Sequence, residues 1–402
     1  MEITPPSLSE QRRGRGRLDS LTGLRFLAAI LVVLGHSTRE LAHLPVVSSF
    51  FGLSGVGVTF FFLLSGFVLT WSYRDELPTR TFYLNRFARI YPLHVVTWLI
   101  AAVLMILVGP GWRTGAALSS LLLVQAWIPD PAYYFAMNGP SWSLSCEAFF
   151  YAVFPPTVRH LARCGRRRLH LLLIGFAAVD VPFTLAMDVL LPSDAKVAVL
   201  YTDPLYRLGE FLVGVGLGLA MRDGWRPSVS LRGALWLAGG AYSAVGVVEV
   251  ALEYRIGVFG RFPVHGLPVD LASLFVEPAF ALLIATAAAA DLSGARTVLC
   301  SRPLVRLGQW SFALYLSHHL LIDALKSVAP ERRPWPVSIG LELVILAAMI
   351  GLSGVLYVWV ERPAEARLRR RAAGRSAGGG AAVAVPRQHR QPTTASTHAS
   401  RE

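Results

Sequence analysis

The sequence predicts an all-α, polytopic integral membrane protein with about ten transmembrane helices and both termini cytoplasmic. Three observations carry this expectation. Of the 402 residues, 54% are hydrophobic and only 16% charged, where soluble domains carry about 25% charged residues, and the mean hydropathy is +0.50. Apolar runs near the roughly 17–25 residues that a spanning helix needs recur along the whole length. The basic residues collect at alternate connections between those runs, as the positive-inside rule expects. The chain is too apolar to be disordered. Three widely separated cysteines, Cys146, Cys164 and Cys300, form no disulfide scaffold and no metal-ligand spacing. The net charge of +13 is spread between apolar runs rather than gathered on one soluble domain, so the expected partner is the lipid bilayer and not nucleic acid.

Taken in chain order, residues 1–18 form a basic cytoplasmic segment with Arg12, Arg13, Arg15 and Arg17. The apolar run at 21–35 has no small-residue cleavage site after it and reads as an uncleaved first span. Further spans are expected at about 52–72, 92–109, 142–158, 170–190, 205–221, 233–251, 269–290, 308–325 and 337–360. The piece at 116–128 is too short and reads as a re-entrant or interfacial segment. Counting it as a crossing would put the basic loop of Arg159, Arg163, Arg166, Arg167 and Arg168 outside. Residues 19–366 make one transmembrane domain, and 367–402, with its arginines and its Gly/Ala/Ser/Thr-rich run, reads as a disordered cytoplasmic tail. No inverted pair of broken helices of the transporter kind is evident. The expected location is the cell membrane, as a multi-pass protein.

Ionisable residues inside spans are costly and point to function by default. Arg25 and His36 lie eleven residues apart in the first span, which is three turns plus about 20°, so both project from one face about 16 Å apart along the axis. Snorkelling of Arg25 to the headgroups and a helix-end role for His36 are the plainer alternatives. Arg86 and Arg89 share a face at i, i+3 and suit either a phosphate clamp or a positive-inside anchor. Ser141 sits where the breaker Asn138-Gly139-Pro140 gives way to a helix, and Glu147 follows about one turn into the span, as an acid–base partner or a structural carboxylate. Arg207 and Glu210 could pair with each other at i, i+3, and Gly214 and Gly218 make a small-xxx-small packing pattern. His318 lies in the Tyr315-Leu316-Ser317-His318-His319 cluster. It matches an H-x-x-x-x-D spacing with Asp323, but residues five apart on a helix are about 140° apart and do not face each other. The nucleophile elbow, the Walker loop and the H-E-x-x-H motif are all missing from the sequence.

In order, these residues resemble the acyltransferase 3 family of membrane O-acyltransferases. The likeness rests on Arg25 with ten residues before His36, on Phe60-Phe61-Phe62-Leu63-Leu64-Ser65-Gly66-Phe67 and on Arg86-x-x-Arg89. It continues through Ser141-Trp142-Ser143-Leu144-x-x-Glu147, Ser311-Phe312-Ala313-Leu314-Tyr315-Leu316-x-His318 and Glu361-Arg362-Pro363. It runs from about residue 18 to 366. Each motif alone is weak; six in sequence are specific. The resemblance implies a ten-helix domain that transfers an acyl group from acyl-CoA to a hydroxyl of a carbohydrate, or of a sugar-bearing natural product such as a macrolide. Many polysaccharide-modifying members carry a fused extracytoplasmic SGNH domain, which is not expected here and leans the reading towards a stand-alone enzyme.

On that reading His36 takes the acceptor proton, Glu147 orients or charge-balances the imidazole, and Arg86 and Arg89 bind CoA phosphates with Arg25 deeper in the same path. A route through an acyl-enzyme intermediate stays open. Acyl-CoA is expected as donor substrate, and no metal is expected. The rival class is a transporter or flippase that moves an acylated or glycosylated substrate without chemistry, using the same buried Arg, His and Glu.

Overall fold

The computed structural model describes residues 17–42, 44–53, 55–108, 113–257, 268–326 and 334–378. Among these residues it is helical, with no strand. The long helices are α1 (Asp19–Ser37), α3 (Val56–Ser72), α4 (Thr79–Val108), α7 (Trp142–Ala162), α8 (Arg166–Leu190), α10 (Pro204–Arg222), α11 (Leu231–Glu253), α12 (Val269–Leu292), α13 (Arg302–Lys326) and α14 (Trp335–Leu356). Short helices α2 (Pro45–Phe51), α5 (Thr114–Leu121), α6 (Pro131–Tyr134) and α9 (Ser193–Lys196) fill connections, and α15 (Arg362–Gly378) follows α14 through a π-helical turn.

Each predicted span overlaps one long helix, with 52–72 beginning before α3 and 337–360 running past α14 into the π-helical turn. Six helices of the described chain are long and apolar enough to cross a membrane: Asp19–Leu41, Val46–Ser72, Thr79–Leu107, Leu231–Glu253, Asp270–Leu292 and Trp335–Arg370. In α7, α10 and α13 the apolar sequence is interrupted by residues such as Glu147, Arg207, Glu210 and His318. Those of α10 and α13 are buried among neighbouring helices, where paired polar groups are tolerated. The segment at 116–128 holds only the eight-residue α5 and a 3₁₀ turn, and eight residues rise about 12 Å, far short of a bilayer. In the segment expected to be a disordered tail, residues 367–378 are helical, continuing α15. The expected tail beyond them and residues 1–16 lie outside the described residues.

The bundle is drawn together where glycines let backbones touch. A side-chain carbon on Gly214 of α10 would stand 2.0 Å from the Leu63 carbonyl oxygen of α3, and one on Gly66 would stand 2.1 Å from the Phe211 carbonyl oxygen. The small-xxx-small pattern therefore packs α10 directly on α3. Gly308 of α13 meets the Thr22 carbonyl of α1 at 1.8 Å in the same sense. These two crossings hold α1, α3, α10 and α13 at the centre. Phe62, Phe150 and Phe211 fill the core between α3, α7 and α10, with ring centroids 5.1 Å and 4.9 Å apart.

Candidate active site

Three cavities follow one another along α1. The first, of 390 Å³, opens beside the start of the helix and is lined by Arg17, Asp19, Arg25, Arg89 and Tyr357 among others. The second, of 130 Å³, is lined by Arg25, Arg86, Arg89, Ser143, Glu147 and Tyr151 with apolar residues of α3. The third, of 450 Å³, holds His36, Glu40, Tyr201, His319 and Asp323 at the other end of the bundle. Arg25 and Arg89 line the first and second cavities; Val58 and Tyr315 line the second and third. The regular 19 residues of α1 keep the three-turn spacing, so one helix face sends Arg25 into the second cavity and His36 into the third.

The second cavity is cationic. Arg89 is engaged: Nη1 bonds Glu361 and stands 3.5 Å from Glu365, and its guanidinium lies 5.3 Å from the Phe312 ring. Glu361 reaches it from the π-helical turn Tyr357–Glu361, where the wider turn carries this carboxylate inward. Arg86 has no ion-pair partner among the described residues. Its guanidinium packs 5.8 Å and 5.9 Å from the rings of Phe82 and Tyr151, and its Nε is buried without a hydrogen bond. Arg25 likewise has no ion pair among the described residues. The structure thus separates the arginine pair: Arg89 is a tether between α4 and the turn that leads from α14 into α15, while Arg86 and Arg25 present the free charge.

Glu147 belongs to this cavity and not to His36. Its Oε1 accepts hydrogen bonds from the Tyr151 hydroxyl and from Ser65 Oγ at 3.3 Å. The carboxylate beside His36 is Glu40, with Oε1 3.4 Å from His36 Nδ1. This corrects the expected His36–Glu147 pairing. Glu147 enters the bundle from the start of α7, opposite the arginines, whereas a π-helical turn, Thr38–Ala42, continues α1 and places Glu40 beside His36.

His36 sits in a histidine group. Its ring centroid is 5.3 Å from His319 and 5.4 Å from His318. His319 Nε2 stands 3.6 Å from Glu40 Oε1, and His319 Nδ1 is 3.0 Å from Asp323 Oδ2. Lys326 Nζ bonds Glu40 Oε2. His318, the residue singled out from sequence, lies behind this group. It is fully buried, donates from Nδ1 to the Tyr315 carbonyl at 2.7 Å, and has no partner on Nε2 among the described residues. Asp323 pairs with His319, four residues away, as the helical geometry requires, and not with His318. Glu40 and His319 were missed; the i, i+4 spacings His36–Glu40 and His319–Asp323 were the available signals.

Ser141 is buried in the turn before α7, where its carbonyl and Oγ accept from Gln125 Nε2 at 2.9 Å and 3.3 Å, and it lines none of the three cavities. Its neighbours do more. The Pro140 carbonyl accepts from Ser143 Oγ at 2.9 Å and from the Tyr315 hydroxyl at 3.2 Å, and Asn138 Nδ2 donates to the Leu316 carbonyl. The breaker segment thereby pins Tyr315 between the second and third cavities. Arg207 and Glu210 stand apart, in a closed network. Arg207 bonds Glu210 at 2.6 Å and the Tyr201 carbonyl at 2.8 Å, with Asp270 at 3.5 Å, and Thr59 donates to Glu210 at 2.9 Å. This joins α3, α10 and α12, and neither Arg207 nor Glu210 lines any of the three cavities along α1.

Comparison with known proteins identifies the family. The acyltransferase-domain family matches residues 18–358. The chain is 36% identical over 390 residues to acyltransferase MdmB of Streptomyces mycarofaciens, covering 88% of this chain and 93% of that protein. It is 26% identical over 352 residues to the exopolysaccharide production protein ExoZ of Rhizobium meliloti, covering 84% and 96%. A shorter likeness, 28% over 161 residues, joins 36% of the chain to 24% of the peptidoglycan O-acetyltransferase OatA of Listeria monocytogenes. No solved structure matches the chain. The chain belongs to the acyltransferase 3 family and is a membrane acyltransferase.

Proposed function

We propose that this protein transfers a short acyl group from acyl-CoA to a hydroxyl of a carbohydrate or of a sugar-bearing natural product such as a macrolide, at the cell membrane. The observation that carries the reading is that α1 alone supplies a cation to one cavity and an imidazole to the next, and that these cavities share Val58 and Tyr315 as walls. Arg25 and Arg86 bind the CoA phosphates, for which unpaired guanidinium groups in a low-dielectric cavity are well suited. The flexible pantetheine arm then carries the thioester past Tyr315 towards His36. Glu40 accepts the Nδ1 proton of His36, leaving the Nε2 lone pair to take the acceptor hydroxyl proton as its oxygen attacks the thioester carbonyl. The carbon–sulfur bond breaks, CoA leaves as the thiolate and collects the proton, and Glu40 steadies the imidazolium in between. Glu147, held by Tyr151 and Ser65, balances the arginines.

The long helices are taken as ten spans with both termini cytoplasmic, which puts the arginine cavities on the side where acyl-CoA is found. The similarity to a peptidoglycan O-acetyltransferase and to an exopolysaccharide production protein supports a sugar acceptor. The test is incubation of the purified protein with isotope-labelled acetyl-CoA and a panel of glycans and glycosylated macrolides, followed by mass spectrometry. An acceptor heavier by one acyl group, with equal release of free CoA, is the expected result. Unmodified acceptors and no release of CoA would move the reading to transport without chemistry.

A further inference from the structure

The histidine–carboxylate group of the third cavity has the form of a metal site. One ligand atom each from His36, Glu40 and His319 lies within 4.8 Å of the other two. Glu40 Oε1 is 3.4 Å from His36 Nδ1 and 3.6 Å from His319 Nε2. Two ligands held at about 2.0–2.1 Å from a tetrahedral zinc ion are themselves about 3.3–3.4 Å apart; the two edges at Glu40 already match that spacing to within tenths of an ångström, and the third, between the imidazoles, is at most 4.8 Å. The surroundings are arranged in the same sense. Asp323 at 3.0 Å holds the Nδ1 proton of His319 and so turns the lone pair of Nε2 towards Glu40. A carboxylate on the far nitrogen is the usual support for a metal-binding imidazole. Lys326 occupies the second oxygen of Glu40 and leaves Oε1 free to bind through one atom. With both imidazoles neutral, Glu40 and Asp323 are balanced by Lys326 and by Arg39, which also lines the cavity, and Glu40 supplies the one anionic ligand. The 450 Å³ cavity gives the ion an entry path and a fourth position.

We propose that His36 Nδ1, Glu40 Oε1 and His319 Nε2 bind a divalent transition metal ion of the zinc type, and that binding switches acyl transfer off. The donor set, two imidazoles and one carboxylate, is one that zinc and cobalt share. The inhibitory half rests on the reading of His36 as proton acceptor and follows from proton placement. A metal on Nδ1 puts the single ring proton on Nε2, so the ring has no lone pair for the acceptor hydroxyl. The ion also stands beside the position where the imidazolium charge would form. The sequence expectation of no metal came from cysteine and motif spacing. Here one ligand comes from the end of α1, one from the π-helical turn after it and the third from α13, a combination no local motif records.

The experiment uses the full chain, purified in detergent without chelators and then stripped of metal. Cobalt(II) is titrated in while the visible d–d absorption is followed, and acyl transfer is measured on the same samples with zinc(II) and after its removal by chelator. One equivalent of cobalt should give an intense, tetrahedral-type spectrum that zinc displaces. The His319→Gln variant should lose the spectrum. Asp323→Asn should keep its shape and bind about 10–100-fold more weakly, which provides a readout if the first variant does not fold. Zinc should lower transfer at least about tenfold, reversibly, with the midpoint of cobalt displacement. Absence of a one-equivalent spectrum, its persistence in His319→Gln, or a filled site with undiminished transfer would each overturn the proposal. The spectral titration needs no turnover, and His36→Gln assayed in metal-free buffer tests the base reading separately, so the two ideas fail independently.

Discussion

His36 lies in a wall of the third cavity, beside Glu40 and His319, which also contact each other. An amide in its place keeps size and polarity but takes up no proton. General acid–base assistance is typically worth about 10²–10⁴-fold, so His36→Gln is expected to lose at least about 100-fold in turnover with normal membrane insertion. Assay of the extracted, folded variant checks this, and near-full transfer would move the base elsewhere. The two arginines of α4 should behave differently. Arg86→Ala should raise the KM for acyl-CoA with little effect on thermal stability, because no described carboxylate depends on it. Arg89→Ala leaves Glu361, which is 2% exposed, without its partner. Breaking a buried ion pair from one side costs about 3–5 kcal/mol, so this variant should unfold at lower temperature in detergent. Adding Glu361→Gln should recover part of the loss, and a normal melting curve for Arg89→Ala would contradict the tether.

At the scale of elements, the site depends on two helix crossings that glycine permits. Ala at position 214 would place a methyl carbon 2.0 Å from a main-chain oxygen of α3, which cannot swing aside as a side chain can. Overpacking costs about 1–3 kcal/mol and more when the backbone must move. The same substitution at Gly239 of α11 meets nothing within 4 Å, and there alanine gains helix propensity of up to about 1 kcal/mol. Gly214→Ala should therefore lower thermal stability, and Gly239→Ala should leave it unchanged or raise it. Equal melting temperatures for the two variants would show that the α3–α10 contact yields. The end of α1 matters in another way: its π-helical turn places Glu40 beside His36, a geometry set after the helix, not by its apolar stripe.

For the whole molecule, the cavity linings sort by end. The first cavity gathers the start of α1, the end of α3, the start of α13 and the π-helical turn after α14. The third gathers the end of α1, the region before α3, the turn before α7, the approach to α10 and the end of α13. α1 and α3 thus run in opposite directions, and α13 runs with α1. Which end faces the cytoplasm is a separate matter that the charge distribution predicts. In intact cells, an impermeant thiol reagent should label a cysteine introduced at Lys196 and leave Cys164, in the basic connection between α7 and α8, unlabelled. Labelling of Cys164 instead would reverse the orientation.

Sequence alone determined the helical membrane class, the positions of the long helices, the short non-spanning piece at 116–128 and the shared face of Arg25 and His36. All of these follow from local periodicity, run length and the cost of charge in lipid, which act within one helix. It also marked Gly214 and Gly218 as contact residues, because small side chains at i, i+4 leave a flat stripe whatever the partner. Only the tertiary structure decided which charges meet. Glu147 suits either a partner for His36 or a structural carboxylate in sequence, yet the two residues enter from different helices and line different cavities. In sequence Arg89 suits a phosphate clamp or a positive-inside anchor equally; Glu361, on the turn after α14, neutralises it in the fold. Glu40 and His319 look ordinary in one dimension, as a carboxylate after a span and the second of two adjacent histidines. Their proximity depends on α1 crossing α13 closely at Gly308, and side-chain meetings of that kind are set by packing between helices remote in sequence, which leaves no periodic trace in either one.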